Sequence, residues 1–276
     1  MFQYSQSGSA VCETLGAVTA SSTGTVLTAS ATANTKGAYV VLGTTTVDYE
    51  RVSITLQNPS VEQSTVSFQI DISVGSTGNE AVIIDSLEYT PSYSTMTGNL
   101  SPIRTIELPI AIPKGTQINA RVQCVAPSAT IQVLHYGFTS GIGGSPGFSR
   151  LVCLTGNSSS RGVTLSTSAS TNTKAAWTQL TASSPVNAAA LLVIHGTGGA
   201  STTGRNSLID LGIGASGSEA VVIANMSSNG PGSGAAADGN YLFVPIGAPS
   251  GTRFAARMQS SVASLPQSVG LYALVP

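Results

Sequence analysis

The hydrophobic positions of this chain fall into short runs with a period of two. Val52-Ser53-Ile54-Thr55-Leu56 alternates strictly, as does Val66-Ser67-Phe68-Gln69-Ile70-Asp71-Ile72-Ser73-Val74. Alternation sends successive side chains to opposite faces, so each run predicts a strand with one face in a core. Tyr39-Val40-Val41-Leu42 is an apolar run rich in β-formers. Gly75 to Gly78 supplies a turn and Ala81 to Ile84 starts the next strand, which reads as a β-hairpin. From Gln117 to Val125, Ile118, Ala120, Val122 and Cys124 should face inward, with Arg121 and Gln123 outward. Thr130 to Tyr136 and Val269 to Leu274 read as closing strands. Helical periodicity is nearly absent. Strands separated by Gly, Pro, Ser and Thr are the signature of an all-β sandwich or barrel.

The pattern occurs twice. PIAIPKGTQINARVQ, Pro109 to Gln123, returns without a gap as PIGAPSGTRFAARMQ, Pro245 to Gln259. Asn34-Thr35-Lys36 returns as Asn172-Thr173-Lys174, and Val74 to Val82 as Ile213 to Val221. Val11-Cys12 matches Val152-Cys153, which would make the two cysteines equivalent. In the strongest segment Pro113 and Pro249 lack an N–H and stop the preceding strand. Gly115 and Gly251 can then take positive φ in the turn. A repeat of this length predicts an internal duplication of a domain of roughly 130 residues. The expected layout is an N-terminal arm at 1–8, one β-sandwich at 9–137, a Gly-rich linker at 138–149 and a second β-sandwich at 150–276. The expected fold is two tandem jelly-roll-like antiparallel β-sandwiches. An immunoglobulin-like topology is the second choice, since its Cys…Trp…Cys pattern is missing.

Composition narrows the function. Apolar residues make up 41% of the chain, enough for a core in each half, but charged residues only 8%, against about 25% in an ordinary domain. The surface must be built from Ser, Thr, Gly, Asn and Gln. Such a surface suits protein contacts inside a larger assembly, or neutral ligands such as sugars. With 11 basic and 12 acidic residues there is no basic patch, which argues against nucleic-acid binding. No run of about 20 apolar residues exists, so no membrane span is expected. The start, MFQYSQSGSA, lacks the basic end and apolar core of a secretory signal, so the chain is expected to fold in a cytoplasm. Three cysteines make no disulfide framework and read as small packed thiols.

Candidate chemistry is sparse. His135 and His195 read as strand residues without a catalytic partner. Gly212 to Gly217 spells GxGxxG but opens a strand, so it reads as a hairpin turn rather than a phosphate cradle. Asp71 with Glu80, repeated as Asp210 with Glu219, is the best acidic pair for glycoside hydrolysis. Yet aromatics are only 5%, and Glu80 and Glu219 can instead bond the N–H groups of their turn or an adjacent Arg. No dense acidic loop supports calcium at Asp71 or Asp210. No cofactor and no metal are expected. The twice-kept Arg121 and Arg257 either pair with Glu80 and Glu219 or anchor a neighbouring protein. These four are the candidate interface residues.

The string E-A-V-V-I, a polar loop, then P-I-A-I-P-x-G-T-x-I-x-A-R-x-Q resembles a module of tailed-bacteriophage virion structural proteins. Here it is Glu80 to Ile84 with Pro109 to Gln123, and Glu219 to Ile223 with Pro245 to Gln259, Ala248 standing where the first segment has Ile112. The resemblance implies a non-enzymatic protein of the virion, assembled in the host cytoplasm. Among such proteins, low charge, compact sandwiches and the lack of heptads or collagen triplets favour a capsid decoration (cement) protein, whose partners would be the major capsid or other virion proteins; that role implies a homo-oligomer, expected as a trimer at a local symmetry axis. The alternative is a tail, neck or head-fibre accessory protein that recognises host surface glycans. In that case the segments 88–104 and 227–240 would carry the site, with Tyr89 and Tyr93 stacking on sugar.

Overall fold

The computed structural model describes residues 11–16, 18–19, 22–57, 67–90, 103–139, 147–156, 162–197, 205–230, 240–263 and 266–276. Those residues form strands and connections without a helix. The first half contributes β1 (Val11–Leu15), β2 (Val18–Thr19), β3 (Ser22–Thr23), β4 (Thr25–Thr28), β5 (Val40–Thr44) and β6 (Arg51–Gln57). It continues with β7 (Phe68–Val74), β8 (Ala81–Tyr89), β9 (Arg104–Leu108), β10 (Gln117–Cys124) and β11 (Thr130–Thr139). The second half contributes β12 (Arg150–Cys153), β13 (Val163–Leu165), β14 (Thr178–Thr181), β15 (Ala190–Thr197) and β16 (Arg205–Ile213). It ends with β17 (Ala220–Gly230), β18 (Asn240–Val244), β19 (Phe254–Ser260) and β20 (Gln267–Val275).

The pairing is nested. In the first half β4 pairs β11, β5 pairs β10, β6 pairs β9 and β7 pairs β8, all antiparallel. In the second half β13 pairs β20, β14 pairs β19, β15 pairs β18 and β16 pairs β17 in the same way. A hairpin of hairpins rolled into two facing sheets is a jelly roll. One sheet of the first half runs β1-β11-β6-β9 and the other β8-β7-β10-β5. β1 and β4 share one edge of β11, as β12 and β13 share one edge of β20. The turn after Pro113 has Gly115 at φ 79, and its counterpart has Gly251 at φ 86.

The halves are joined edge to edge. β12 lies parallel beside β8, with Leu151 opposite Ile84, and this merges one sheet from each half into a nine-stranded sheet. Tyr272 donates to Ser86 O at 2.9 Å and accepts from Glu88 N–H at 3.1 Å. Tyr241 donates to Glu88 O at 2.8 Å, and the buried Glu88 carboxylate accepts from Gly162 N–H at 2.9 Å. The apolar cluster filling the first half continues through Leu151, Ala190, Leu192, Ile194, Tyr272 and Leu274. Leu191, Val193, Leu271 and Ala273, on the other face of the same strands, belong to the second half's own cluster. β15 and β20 are therefore buried on both sides. That is why β15 reads Ala-Leu-Leu-Val-Ile without the alternation of β6.

The registers correct one alignment. Leu151 faces Leu274 and Cys12 faces Phe138, while Cys153 faces Tyr272 and Thr14 faces Tyr136. Phe138 and Leu274 hold the same place, because their neighbours Gly137 and Ala273 sit opposite Val52 and Leu191. Cys12 is thus the counterpart of Leu151, and Cys153 that of Thr14. Cys12 is exposed, not a packed thiol, whereas Cys124 is buried. The Val-Cys match is a coincidence shifted by one pleat period, which keeps the same face and so escapes a pattern test. Within the expected linker at 138–149, Phe138 and Thr139 complete β11 and Phe148 is buried beside Ile110. Residues 1–8 and 140–146 lie outside the described residues.

Candidate functional site

Asp71 stands in the middle of β7 on the face away from the core. A buried carboxylate there needs compensation, because desolvating an unpaired charge costs several kcal/mol. Four elements supply it. Lys36, from the segment before β5, places Nζ 2.6 Å from Oδ1. Arg121, directly opposite Asp71 in the β10 register, donates from Nε to Oδ2 at 2.8 Å. Ser86 N–H donates to Oδ1 at 2.9 Å. It can do so because β8 bulges there: Ile70 pairs Leu87 and Ile72 pairs Ile84, leaving Asp85 and Ser86 over, with Ser86 at φ 51. Finally the Tyr39 ring covers the Arg121 guanidinium at 4.4 Å.

The second half rebuilds this cluster residue for residue. Lys174 Nζ lies 2.7 Å from Asp210 Oδ1, Arg257 Nε lies 2.9 Å from Oδ2, and Asn225 N–H donates to Oδ1 at 2.9 Å. Asn225 occupies the matching bulge at φ 55, and Trp177 covers Arg257 at 4.5 Å. The larger indole requires space beneath it: a Cβ on Gly212 would come within 2.7 Å of the Trp177 ring. Ser73 holds the place of Gly212 beside the smaller Tyr39, so ring and floor change together. Gly212 is therefore a packing residue, and the turn itself uses Gly214 and Gly217 at φ 119 and φ 81.

The electrostatics are those of a brace. Burial alone would raise the Asp210 carboxyl, but hydrogen bonds from Lys174, Asn225 N–H and Arg257 outweigh it and hold the group low. Burial pushes the Lys36 ammonium down, against the pull of Asp71. Both oxygens of each aspartate are occupied, so neither is placed to take a proton from a substrate. Arg121 and Arg257 thus pair with Asp71 and Asp210, not with Glu80 and Glu219, because register puts the aspartates directly opposite them. Glu80 accepts from Gly78 N–H at 3.0 Å, and Glu219 from Gly217 N–H at 2.9 Å. Glu219 is also bound by Arg253 at 2.8 Å. The acidic pair considered for hydrolysis therefore serves two separate local networks in each half.

One difference between the halves opens space. In the first half β12 walls the cluster, leaving a cleft of about 360 Å³ lined by Lys36, Asp71, Asp85, Arg121, Arg150 and Val152. Asp85 closes it by accepting from Ser86 Oγ at 2.8 Å and from Cys153 N–H at 3.3 Å. Among the described residues no group of three or more His, Cys, Asp or Glu is placed to hold a metal ion. His135 is buried with both ring nitrogens unpartnered, and burial lowers it to about 4. Its neighbour Tyr49 donates to Glu13. Burial also lowers His195.

Of the two tyrosines expected to stack on sugar, Tyr89 is not available for it. Tyr89 is 1% exposed and stacks on Phe68 with ring centroids 6.4 Å apart, so its face is closed to a ligand. It ends a strand whose last residues are covered by the second half. Tyr93 lies outside the described residues. Sequence reasoning missed the roles of Lys36, Lys174, Tyr39 and Trp177. The repeated Asn-Thr-Lys was the available signal, since a lysine kept twice in a charge-poor chain needs a partner.

No protein-family model matches the chain, and no curated protein matches it in sequence. Among solved structures it is similar to PNGF-II, with TM-score 0.39 and 8% identity, covering 96% of this chain and 65% of that one. It spans less than two thirds of that neighbour's length. It is similar to the STIV MCP at TM-score 0.38 and 10% identity, covering 98% of both chains. It is also similar to the CBM22-1–CBM22-2 tandem domain of Paenibacillus barcinonensis Xyn10C, at TM-score 0.26 and 10% identity, covering 98% of this chain and 92% of that one. With TM-scores below 0.5, these likenesses do not decide what this chain does.

Proposed function

We propose that the chain is a non-enzymatic structural protein of a virion, a capsid decoration protein that binds the head shell through protein–protein contacts. The observation that supports this reading most is the disposition of charge. Lys36, Asp71, Arg121, Lys174, Asp210, Arg253, Glu219 and Arg257 sit in ion pairs of 2.9 Å or less. These charges therefore brace the strands, and what faces outward on the two jelly rolls is chiefly uncharged. A neutral, hydrogen-bonding surface is suited to flat contacts in a crowded assembly and offers little long-range steering. The virion module that the sequence resembles supplies the setting.

Immunogold labelling of purified particles with an antibody to this chain tests the proposal. Gold over the whole head is expected. Gold confined to one vertex or to the tail would replace decoration with a neck or receptor-binding role. Absence of label from every intact particle would overturn the virion assignment.

A further inference from the structure

The joint between the two halves is made from strands that each half possesses, yet among the described residues it is used only once. β12 covers the open edge of β8. The counterpart of β8 is β17, and the counterpart of β12 is β1. Among the described residues β17 pairs only with β16, and β1 only with β11. Each half therefore carries one surface of the joint that its neighbour does not occupy. We infer that β1 of one copy docks in parallel on β17 of a second copy, repeating the internal joint head to tail.

Four observations carry this. First, Ile84, Ser86 and Glu88 on β8 are buried, whereas at the matching places on β17 Ile223 is only half-buried and Asn225 and Ser227 are exposed. Second, β17 runs Ala220–Gly230 without a charged residue or a proline. Edges left open to water are usually blunted by such residues, and one that lacks them is a template for another strand. Third, β17 has the bulge of β8, with Met226 opposite Ile209 and Ile223 opposite Leu211. That irregularity does not prevent β8 from receiving β12. Fourth, Tyr136 stands where Tyr272 stands, beside β1 instead of β12. Tyr272 bonds Ser86 O and Glu88 N–H across the joint. The half-buried Tyr136 hydroxyl has no partner among the described residues, and Asn225 O and Ser227 N–H are its matching targets.

The external joint differs from the internal one in strength. Around Tyr272 the docking face holds Ala190, Leu192, Ile194 and Leu274. The matching face of the first half holds Arg51, Ser53, Thr55 and Phe138. Backbone pairing and the tyrosine are kept, while most of the apolar burial is not, so contacts between copies are reversible and depend on concentration. A joint between unlike surfaces closes into a ring only if its rotation permits and otherwise continues as a filament. This inference does not rest on the virion reading.

The natural Cys12 provides the test, because Cys12 and Ile223 are the counterparts of Leu151 and Ile84, which face each other in the internal joint. Full-length Ile223→Cys is expected to give disulfide-linked dimers and higher multiples under mild oxidation, and Cys12→Ser in that background to abolish them. Ile84→Cys with Leu151→Cys, closing within one molecule, sets the oxidation conditions. In sedimentation velocity the unmodified chain is expected to gain mass with concentration, and Ala224→Lys to remain monomeric. The inference is overturned if Ile223→Cys stays monomeric where the internal pair closes. Cross-linking that survives Cys12→Ser, or self-association unchanged by Ala224→Lys, would also overturn it.

Discussion

β6 and β15 hold the same place in the two jelly rolls, yet their outward faces meet different surroundings. Arg51 is exposed, and Thr55 bonds Thr105 at the surface. Ala190, Leu192 and Ile194, at the matching places, are buried against the first half. The strand pairing is shared, so the backbone does not distinguish them. What differs is whether water or another sheet covers the second face, and the sequence has followed that difference. Covering a full Leu or Ile adds about 1.5–3 kcal/mol, so a few such exchanges turn a solvated sheet into the floor of a joint. A second contrast lies inside the sandwiches. Tyr49 lies over Gly137 in the first half, with Ile112 bridged to Tyr49, where the second half has Ala188, Ala273 and Ala248. His135 lies beside Tyr49, and Leu271 takes its place. One half thus sets a large ring over glycine, and the other sets alanines at the matching three places.

The largest effect should come from charging the covered face. Ile194→Asp is expected to cost more than about 4 kcal/mol, since it buries an unpaired carboxylate. Thr55→Asp, at the matching half-buried place beside solvent, should stay within about 1 kcal/mol in the same urea titration. Equal costs would mean that the two faces are not differently covered. Next, Asp71→Asn leaves Lys36 buried without its counter-charge and should cost about 3 kcal/mol. Asp210→Asn should cost somewhat less, because the Lys174 side chain is 18% exposed against 13% for Lys36. Thermal unfolding of both variants would rank them.

Gly137→Ala should cost about 3 kcal/mol, because its Cβ would lie 2.1 Å from the Tyr49 ring. Adding Tyr49→Ala should recover part of that loss, giving a coupling of at least about 1 kcal/mol in a double-mutant cycle. Additive costs would break the account of paired volumes. The smallest effect is confined to acid. His135 has a folded value of about 4, against about 6.5 in an unfolded chain. The unfolded chain takes up the proton first, so this contribution is complete above pH 6.5 and lost as pH falls toward 4. His135→Leu, borrowing the second half's residue, should flatten the fall in stability between pH 6.5 and 4 by on the order of 2 kcal/mol. Urea titrations at pH 7, 5.5 and 4 would detect it, and an unchanged slope would count against a buried neutral imidazole.

Much of the fold was legible in the chain because the signals were local. Alternation at Val52–Leu56 is enforced by strand geometry, and Pro113 with Gly115 marks a turn by what each residue's backbone permits. The candidate site was legible in part. Asp71, Arg121 and Lys36 each stood out as repeated charges, but their pairing depends on register between β7 and β10 and on a bulge in β8. Local pattern leaves Arg121 open between Glu80 and a neighbouring protein, where register gives it Asp71, and places Tyr89 in a loop, where it ends a strand and is buried. By itself the sequence determined two rounds of one β pattern, the turns that fold each round, and a surface poor in charge, since these follow from the conformational preferences and polarity of individual residues. Only the tertiary structure decided which carboxylate meets which cation, which of two equivalent edges is covered, and why β15 is apolar on both faces. Those outcomes depend on contacts between residues far apart in the chain, where a shift of one strand by two residues preserves the pattern and changes every partner.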